Sequence, residues 1–193
     1  MAKKQKKPTI LFNASTVEYA MFSNMFPSPF ILEGRWWTSV EQYFNYKKLL
    51  AKAAESKDEA AKTKELKGKI LTTFDPFKAK FFGSKKAGGT PNPKWDKGLR
   101  DKVMSDAHYE KFAQNPLLLI KLLSTKNALL IEDAPWDEYW GSGKDGKGQN
   151  KNGESLMTLR SNMLKSLGDD NNDVHIDAVF AFCGAHCNGL IEV

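Results

Sequence analysis

Two carboxylates in this 193-residue chain lie next to tryptophans. Glu41 follows the pair Trp36-Trp37 inside the run SVEQYF, Ser39 to Phe44, and Asp137 stands between Trp136 and Trp140 in a glycine-rich stretch. A carboxylate can stabilise the positive charge that builds on a sugar as its glycosidic bond breaks, and it can orient an attacking water. A tryptophan beside it can stack on the departing base. Each residue also has a purely structural role open to it. Glu41 can close a capping box begun by Thr38, whereas a second box, Ser39 with Gln42, leaves Glu41 outside the cap. Asp137 can be a solvated loop residue, and Trp95, Trp136 and Trp140 can be core.

Two other constellations carry less. The stretch from Gly141 to Gly146 matches GxGxxG, but a dinucleotide fingerprint needs a strand directly before it and a helix directly after it, and neither is expected here. Its glycines still allow backbone amides to approach an anion. Cys183, His186 and Cys187, with His175 and Asp177 upstream, match no strong zinc spacing and read as inert thiols in a terminal segment. No metal and no cofactor are assigned.

The elements that must carry these residues follow from local pattern. Residues 1–8 read as a basic disordered tail ending at Pro8, and Thr9 to Phe12 as a short strand. Phe30 to Trp37 reads as a hairpin turning at Glu33-Gly34. A helix begins near Thr38 or Ser39 with Val40, Tyr43, Phe44 and Leu50 on its apolar face, and a lysine- and alanine-rich helix spans Asp58 to Leu71. Residues 72–93, rich in Gly, Pro, Lys and Phe, read as a long surface loop. Trp95 to Gln114 reads as one helix, and Asn115-Pro116 restarts another, with Asn as cap. Ala128 to Ile131 is a strand, 136–152 a loop, and Ser155 to Leu167 a final helix stopped by Gly168. Residues 169–193 form a C-terminal extension, acidic at first and apolar from Ala178 to Phe182, that is expected to be dispensable for chemistry.

Composition narrows the class. The chain carries a formal net charge of +6, with 41% hydrophobic and 11% aromatic residues, enough for a core. Residues 1–100 hold 20 Lys and Arg against 9 Asp and Glu, and residues 101–193 hold 9 against 14. The basic half points to an anionic partner: a phosphorylated metabolite, a nucleic acid or a membrane surface. It is equally compatible with a solvated lysine-rich face. There is no apolar stretch long enough to span a bilayer and no signal-peptide pattern at the start. Two cysteines suit a reducing compartment, so a cytoplasmic protein is expected.

Four blocks in order resemble the YbiA-like, or NADAR, family. They are FSNMFPSPF (Phe22 to Phe30) running through Gly34 and Trp37 to SVEQYF; Trp95-Asp96 through Arg100 to Lys111–Pro116; LLIEDAPWDEYWGSG (Leu129 to Gly143); and Gly148 and Asn150 through Gly153 and Leu156 to Arg160. The resemblance covers about residues 18–164. It implies a mainly helical α+β domain over residues 9–168, with a few short strands, that cleaves N-glycosidic bonds of ribosyl nucleotides. The family's substrates include ribosylamino-pyrimidine phosphates of early riboflavin synthesis and ADP-ribose attached to a base in nucleic acid. Carried over position by position, it implies Glu41 and Asp137 as the catalytic pair. It implies ligand contacts from Phe22, Ser23, Asn24, Trp37, Trp95, Asp96, Trp140, Gly141, Gly143 and Asn150. The partner is then a phosphorylated, nucleotide-like small molecule, with nucleic acid possible as a modified substrate and no membrane. The alternative is a non-catalytic module for NAD or ADP-ribose, or a nucleic-acid-directed ADP-ribosyl hydrolase. The chain departs from the pattern at Lys64 to Ile70, in the Phe-rich stretch before Trp95, and after Gly168.

Since none of the four blocks has metal-ligand spacing, turnover of a ribosyl nucleotide should be unchanged by a chelator. Loss of turnover on chelation, with recovery on adding zinc, would return attention to Cys183, His186 and Cys187.

Overall fold

The computed structural model describes residues 7–49, 56–168 and 175–191. In chain order the elements are β1 (Thr9–Phe12), β2 (Phe30–Leu32), β3 (Arg35–Trp37), α1 (Val40–Lys48), α2 (Lys57–Thr72), α3 (Pro76–Phe82), α4 (Arg100–Ala113), α5 (Pro116–Leu123), β4 (Leu129–Glu132), α6 (Lys151–Ser166) and α7 (Ile176–Ile191). The fold is α+β and mainly helical. It divides into two units, one from residues 24–111 and one from the chain on either side of them.

Residues 24–111 begin with the β2–β3 hairpin, paired Phe30 to Trp37 through Leu32 to Arg35. Its turn residues Glu33 and Gly34 both have positive φ, 55° and 67°. That is the twist a two-residue hairpin turn demands. Trp37 drops into the interior, with Tyr43 and Tyr46 rings each 5.1 Å away. α1 packs on both α2 and α3, around Leu49, Leu66, Ile70 and Ala79. Leu50, expected on the apolar face of α1, lies outside the described residues.

Two expectations fail in this unit. The stretch 72–93 is not one loop but contains α3, capped by Asp75, whose carboxylate accepts the amides of Phe77 and Lys78 at 2.8 and 3.3 Å. Pro76 follows at the first helical position, where its missing N–H costs nothing. The helix expected from Trp95 is broken at Lys97 and Gly98, the latter at φ 94°, and regular α-helix starts only at Arg100.

In the other unit β1 and β4 pair in parallel, Thr9 with Leu129 through Phe12 with Glu132. α6 packs against β4, and α5 packs against α6 and α7. The core gathers Phe12, Phe22, Leu119, Leu130, Leu156 and Met163. Buried Arg160 ties α6 to the turn after α5, donating to Thr125 Oγ1 at 2.6 Å and to the Ala128 carbonyl at 2.9 Å. α6 starts at Lys151 rather than Ser155, and Asn115 caps α5 by position, its side chain making no capping hydrogen bond to the helix.

The segment expected to be a detachable extension contains α7. Val179 and Cys183 are buried in the same core cluster as Leu119 and Met163, with Phe182 packed against it. Burial pushes the Cys183 thiol up to about 11, with Cys187 adding to the effect. Deleting residues 169–193 should therefore lower stability, by roughly 2–4 kcal/mol for the two buried side chains. Val179→Ala alone should cost about 1.5 kcal/mol. Denaturant unfolding measures both; an unchanged midpoint in the truncated chain would mean α7 contributes no core.

Candidate active site

The start of α1 settles which capping box forms. Ser39 is the N-cap, and its Oγ accepts the Gln42 amide at 3.2 Å. The Gln42 side chain does not return to Ser39. Its Oε1 accepts from the backbone and hydroxyl of Thr38 at 2.8 and 3.0 Å, and its Nε2 donates to the carbonyls of Ile70 and Thr73, each at 2.9 Å. Gln42 thus ties α1 to the end of α2. The side-chain acceptor of the cap is Ser39.

Glu41 is nonetheless only 8% exposed. Its Oε1 accepts from Asn45 Nδ2 at 2.8 Å, and the same nitrogen donates to the Glu41 carbonyl at 2.9 Å. Asn45 lies one turn on, on the same stripe of the helix. The amide of Glu41 is one of the helix's unsatisfied first-turn donors, and the Asn24 carbonyl takes it at 3.0 Å. Asn24 is fixed in turn, its Oδ1 receiving the Nε2 proton of His108 at 2.9 Å in the interior. Burial, helped by the charge of Lys111, pushes the His108 pKa down to about 3, so the ring stays neutral. Negative charge in the first turn also interacts favourably with the helix dipole.

Lys48 continues the stripe two turns from Glu41. It is half-buried, and burial lowers its pKa; Glu41 and Asp96 pull the other way, while Lys80 and Lys85 push with burial. Its carbonyl accepts the Asn92 amide at 2.9 Å, and the Asn92 carbonyl accepts from Trp95 at 2.8 Å. This brings the tryptophan–aspartate block to α1. Trp95 is 5% exposed, its ring edge-on to Phe44 at 4.8 Å. Asp96 is exposed and pairs with Arg100 at 2.9 Å. Trp37 is 2% exposed and donates Nε1–H to the Leu32 carbonyl, so its ring serves the interior rather than a stacking surface.

The second group of candidates lies in the other unit. Asp137 Oδ1 accepts the amides of Tyr139 and Trp140 at 3.0 and 2.8 Å, which locks the carboxylate into the turn that aims both rings. Trp140 is half-exposed, with Tyr139 edge-on at 5.0 Å. Gly141 and Gly143 are there for space. A Cβ on Gly141 would press on Ala134, and one on Gly143, whose φ is 63°, would strike Glu138 and Gly148.

The glycine loop is not an anion cradle at these amides. Gly143 donates to Ala134, Gly148 to Ser142, Asn150 to Gly141, Lys151 to Tyr139 and Asn152 to Trp140. Asn150, expected to touch ligand, spends its side chain on β4: Oδ1 accepts from Glu132 at 3.0 Å and Nδ2 donates to Leu130 at 2.8 Å. Its amide stands in for the next strand, and its φ of 51° is one that asparagine tolerates. Phe22 and Ser23 are buried, Phe22 within the core cluster. The neighbouring Asn152 is fully buried, and neither of its amide atoms has a hydrogen-bond partner among the described residues.

Residue type and spacing had pointed to Glu41 but not to the groups that hold it. Asn45 and Lys48 were findable, since positions 41, 45 and 48 share one helical stripe. His108 was not, because its partner Asn24 is 84 positions away. Among the described residues, no group of three His, Cys, Asp or Glu is arranged to hold a metal ion, and no helix is long and apolar enough to cross a membrane.

A family model described as the NADAR domain matches residues 11–164. The N-glycosidase YbiA of Escherichia coli (strain K12) is 32% identical over 154 residues, 80% of this chain and 88% of that protein. An N-glycosidase of Nostoc punctiforme is 28% identical over 159 residues, 82% of this chain and 95% of that one. The chloroplastic riboflavin biosynthesis protein PYRR of Zea mays is 31% identical over 131 residues, 66% of this chain but 20% of that protein. The NMR structure of Escherichia coli YbiA superposes with a TM-score of 0.71 at 27% identity, covering 89% of this chain and 94% of the other.

The support behind Glu41 is testable through Gly83, where an added Cβ would overlap the Asn45 side chain. Gly83→Ala should cost about 1–3 kcal/mol through overpacking. Gly68→Ala, on the open face of α2 with nothing near its Cβ, should instead stabilise by about 0.5–1 kcal/mol. Thermal melts of the two variants should move in opposite directions.

Proposed function

The chain belongs to the NADAR domain family, and from that premise we propose that it is an N-glycosidase hydrolysing the C1′–N bond of a ribosyl nucleotide. The observation that carries this reading is Glu41. It is a nearly buried carboxylate held in place by Asn45, next to a cap whose side-chain acceptor is Ser39. Burying a carboxylate is costly, and sites of chemistry are where such costs are met.

In the proposed reaction water adds to C1′ and the C1′–N bond breaks. The bonding pair leaves with nitrogen, which takes up a proton; the water loses one, and the sugar keeps a hydroxyl at C1′. Positive charge gathers on the ring in the transition state, and a fixed carboxylate stabilises it more than it stabilises the ground state. Glu41 and Asp137 form the acid–base pair in this proposal, with their roles unassigned between them. Trp140 stacks on the base. Lys48, with Lys80 and Lys85 around it, holds the phosphate. Such lysines act as point charges on a phosphate oxygen. The substrates in view are a ribosylamino-pyrimidine phosphate, as in riboflavin synthesis, and ADP-ribose linked to a base. The expected setting is the cytoplasm.

Glu41→Gln separates catalysis from structure. Ser39 carries the cap, so the variant should melt within about 1 kcal/mol of the parent. Turnover should fall by roughly a hundredfold or more. Asp137→Asn should behave similarly, and the two losses should not add if both groups serve one step. Mass spectrometry of released base, across the two substrate classes, provides the readout. A folded Glu41→Gln protein turning over at the parental rate would remove the assignment, and ligand binding without release of base would identify a non-catalytic module.

A further inference from the structure

Helix α3 is built with its amphipathicity reversed. At about 100° per residue, Phe77 and Phe81 fall opposite Ala79 and Gly83. Ala79 packs into the cluster with Leu49 and Leu66, and Gly83 sits against Asn45. The two phenylalanines are therefore turned out, 63% and 53% exposed, and Phe74 just before the helix is 82% exposed. The row is anchored at its end, where Phe82 packs against the core cluster and Phe81 meets it edge-on at 5.8 Å. Apolar rings gain by leaving water, so three left exposed on one short segment are not explained by folding. Grouped exposure of this kind marks an interaction surface.

The surroundings define the partner. Around the helix axis Lys78 and Lys80 lie on opposite flanks of the ring row, each about 80° from its centre. Both are exposed, as are Lys85 and Lys86 just beyond the helix. From Pro76 to Trp95 the chain has five lysines and no Asp or Glu. Asp75, just ahead, turns its carboxylate to the amides of Phe77 and Lys78. The surface is thus apolar at its crest and positive on both sides. A bilayer of anionic lipids is layered in the matching order, with charge at the headgroups and acyl chains beneath. Rings can enter it while lysines stay level with the headgroups. A second copy of the same surface would set lysines against lysines. A nucleic-acid strand would match the charge, but the crest offers no amide, guanidinium or hydroxyl to seat a base edge.

We propose that the outer face of α3 is a peripheral docking surface for an anionic lipid bilayer. The helix lies in the plane of the interface, with Phe77 and Phe81 inserted between headgroups and Lys78 and Lys80 on the lipid phosphates and carboxylates. Phe74 adds a third ring at the start, and Lys85 and Lys86 extend the positive flank. The attachment needs no spanning segment; among the described residues no helix is long and apolar enough to cross a membrane. α3 falls between the first and second of the four sequence blocks, so their implication of no membrane partner does not extend to it. One short helix with an apolar edge and a few lysines gives weak, reversible attachment, and the protein exchanges between interface and solution. The surface stands independently of the Glu41 reading.

The test is co-sedimentation with sucrose-loaded vesicles of phosphatidylcholine, alone or with about 30% phosphatidylserine, at several salt concentrations. The protein should pellet with the anionic vesicles and not with the neutral ones, and added salt should release it, because exposed charges are screened. Phe77→Ser/Phe81→Ser should weaken binding by roughly tenfold or more while leaving the melting temperature unchanged or raised, since both rings are exposed. Phe77→Trp/Phe81→Trp should retain binding, because tryptophan keeps an interfacial ring. Lys78→Glu/Lys80→Glu should abolish the preference for phosphatidylserine. A parent protein absent from the anionic pellet would overturn the proposal. So would parental pelleting of the folded serine variant, or equal pelleting with both kinds of vesicle. Ring-dependent binding of a labelled single-stranded oligonucleotide, with no pelleting on either vesicle, would assign the surface to nucleic acid and overturn it as well.

Discussion

Everything proposed for Glu41 depends on a division of labour at the first turn of α1. A helix start offers amides without partners, and a glutamate there is the natural group to satisfy one. Here Ser39, Gln42 and the Asn24 carbonyl do that work instead. The carboxylate is held from the side by Asn45. Gln42 also takes two carbonyls from α2 and the chain just beyond it, so the element that carries Glu41 is fixed at its start by side-chain hydrogen bonds as well as by packing.

The other unit solves its backbone problem differently. Its two-stranded parallel sheet leaves β4 with open groups, and Asn150 closes them with a side-chain amide. The glycine loop folds its amides onto its own carbonyls, and Asp137 braces the turn bearing Tyr139 and Trp140. Rigidity is the common result. Groups meant to meet a transition state lose effectiveness when they must reorganise, and fixed dipoles avoid that cost.

What was legible in the sequence was local. Glu33-Gly34 specifies its hairpin, and Ser39 and Asp75-Pro76 specify helix starts, because each acts within four residues. The pairing of Thr9 with Leu129 has no local signature, and neither has the link from His108 to Asn24. α3 escaped notice for a different reason: its outward phenylalanines contradict the rule that apolar periodicity faces the core, although its cap was in plain view. α7 showed its apolar run but not its partner, since nothing in residues 176–191 announces that Val179 belongs against α5. Asn150 was expected to contact ligand, and its hydrogen bonds to β4, eighteen and twenty positions away, have no local signature.

The contact between Gly83 and Asn45 also bears on how such a protein can diversify. Two helices meet there at the limit of approach, and that limit constrains only the inner side of α3. Phe77 and Phe81, on its outer side, are exposed. Mutational drift can therefore change the outside of this helix while its inner side stays fixed against Asn45. An arrangement of this kind lets one face of a helix vary while the other is held.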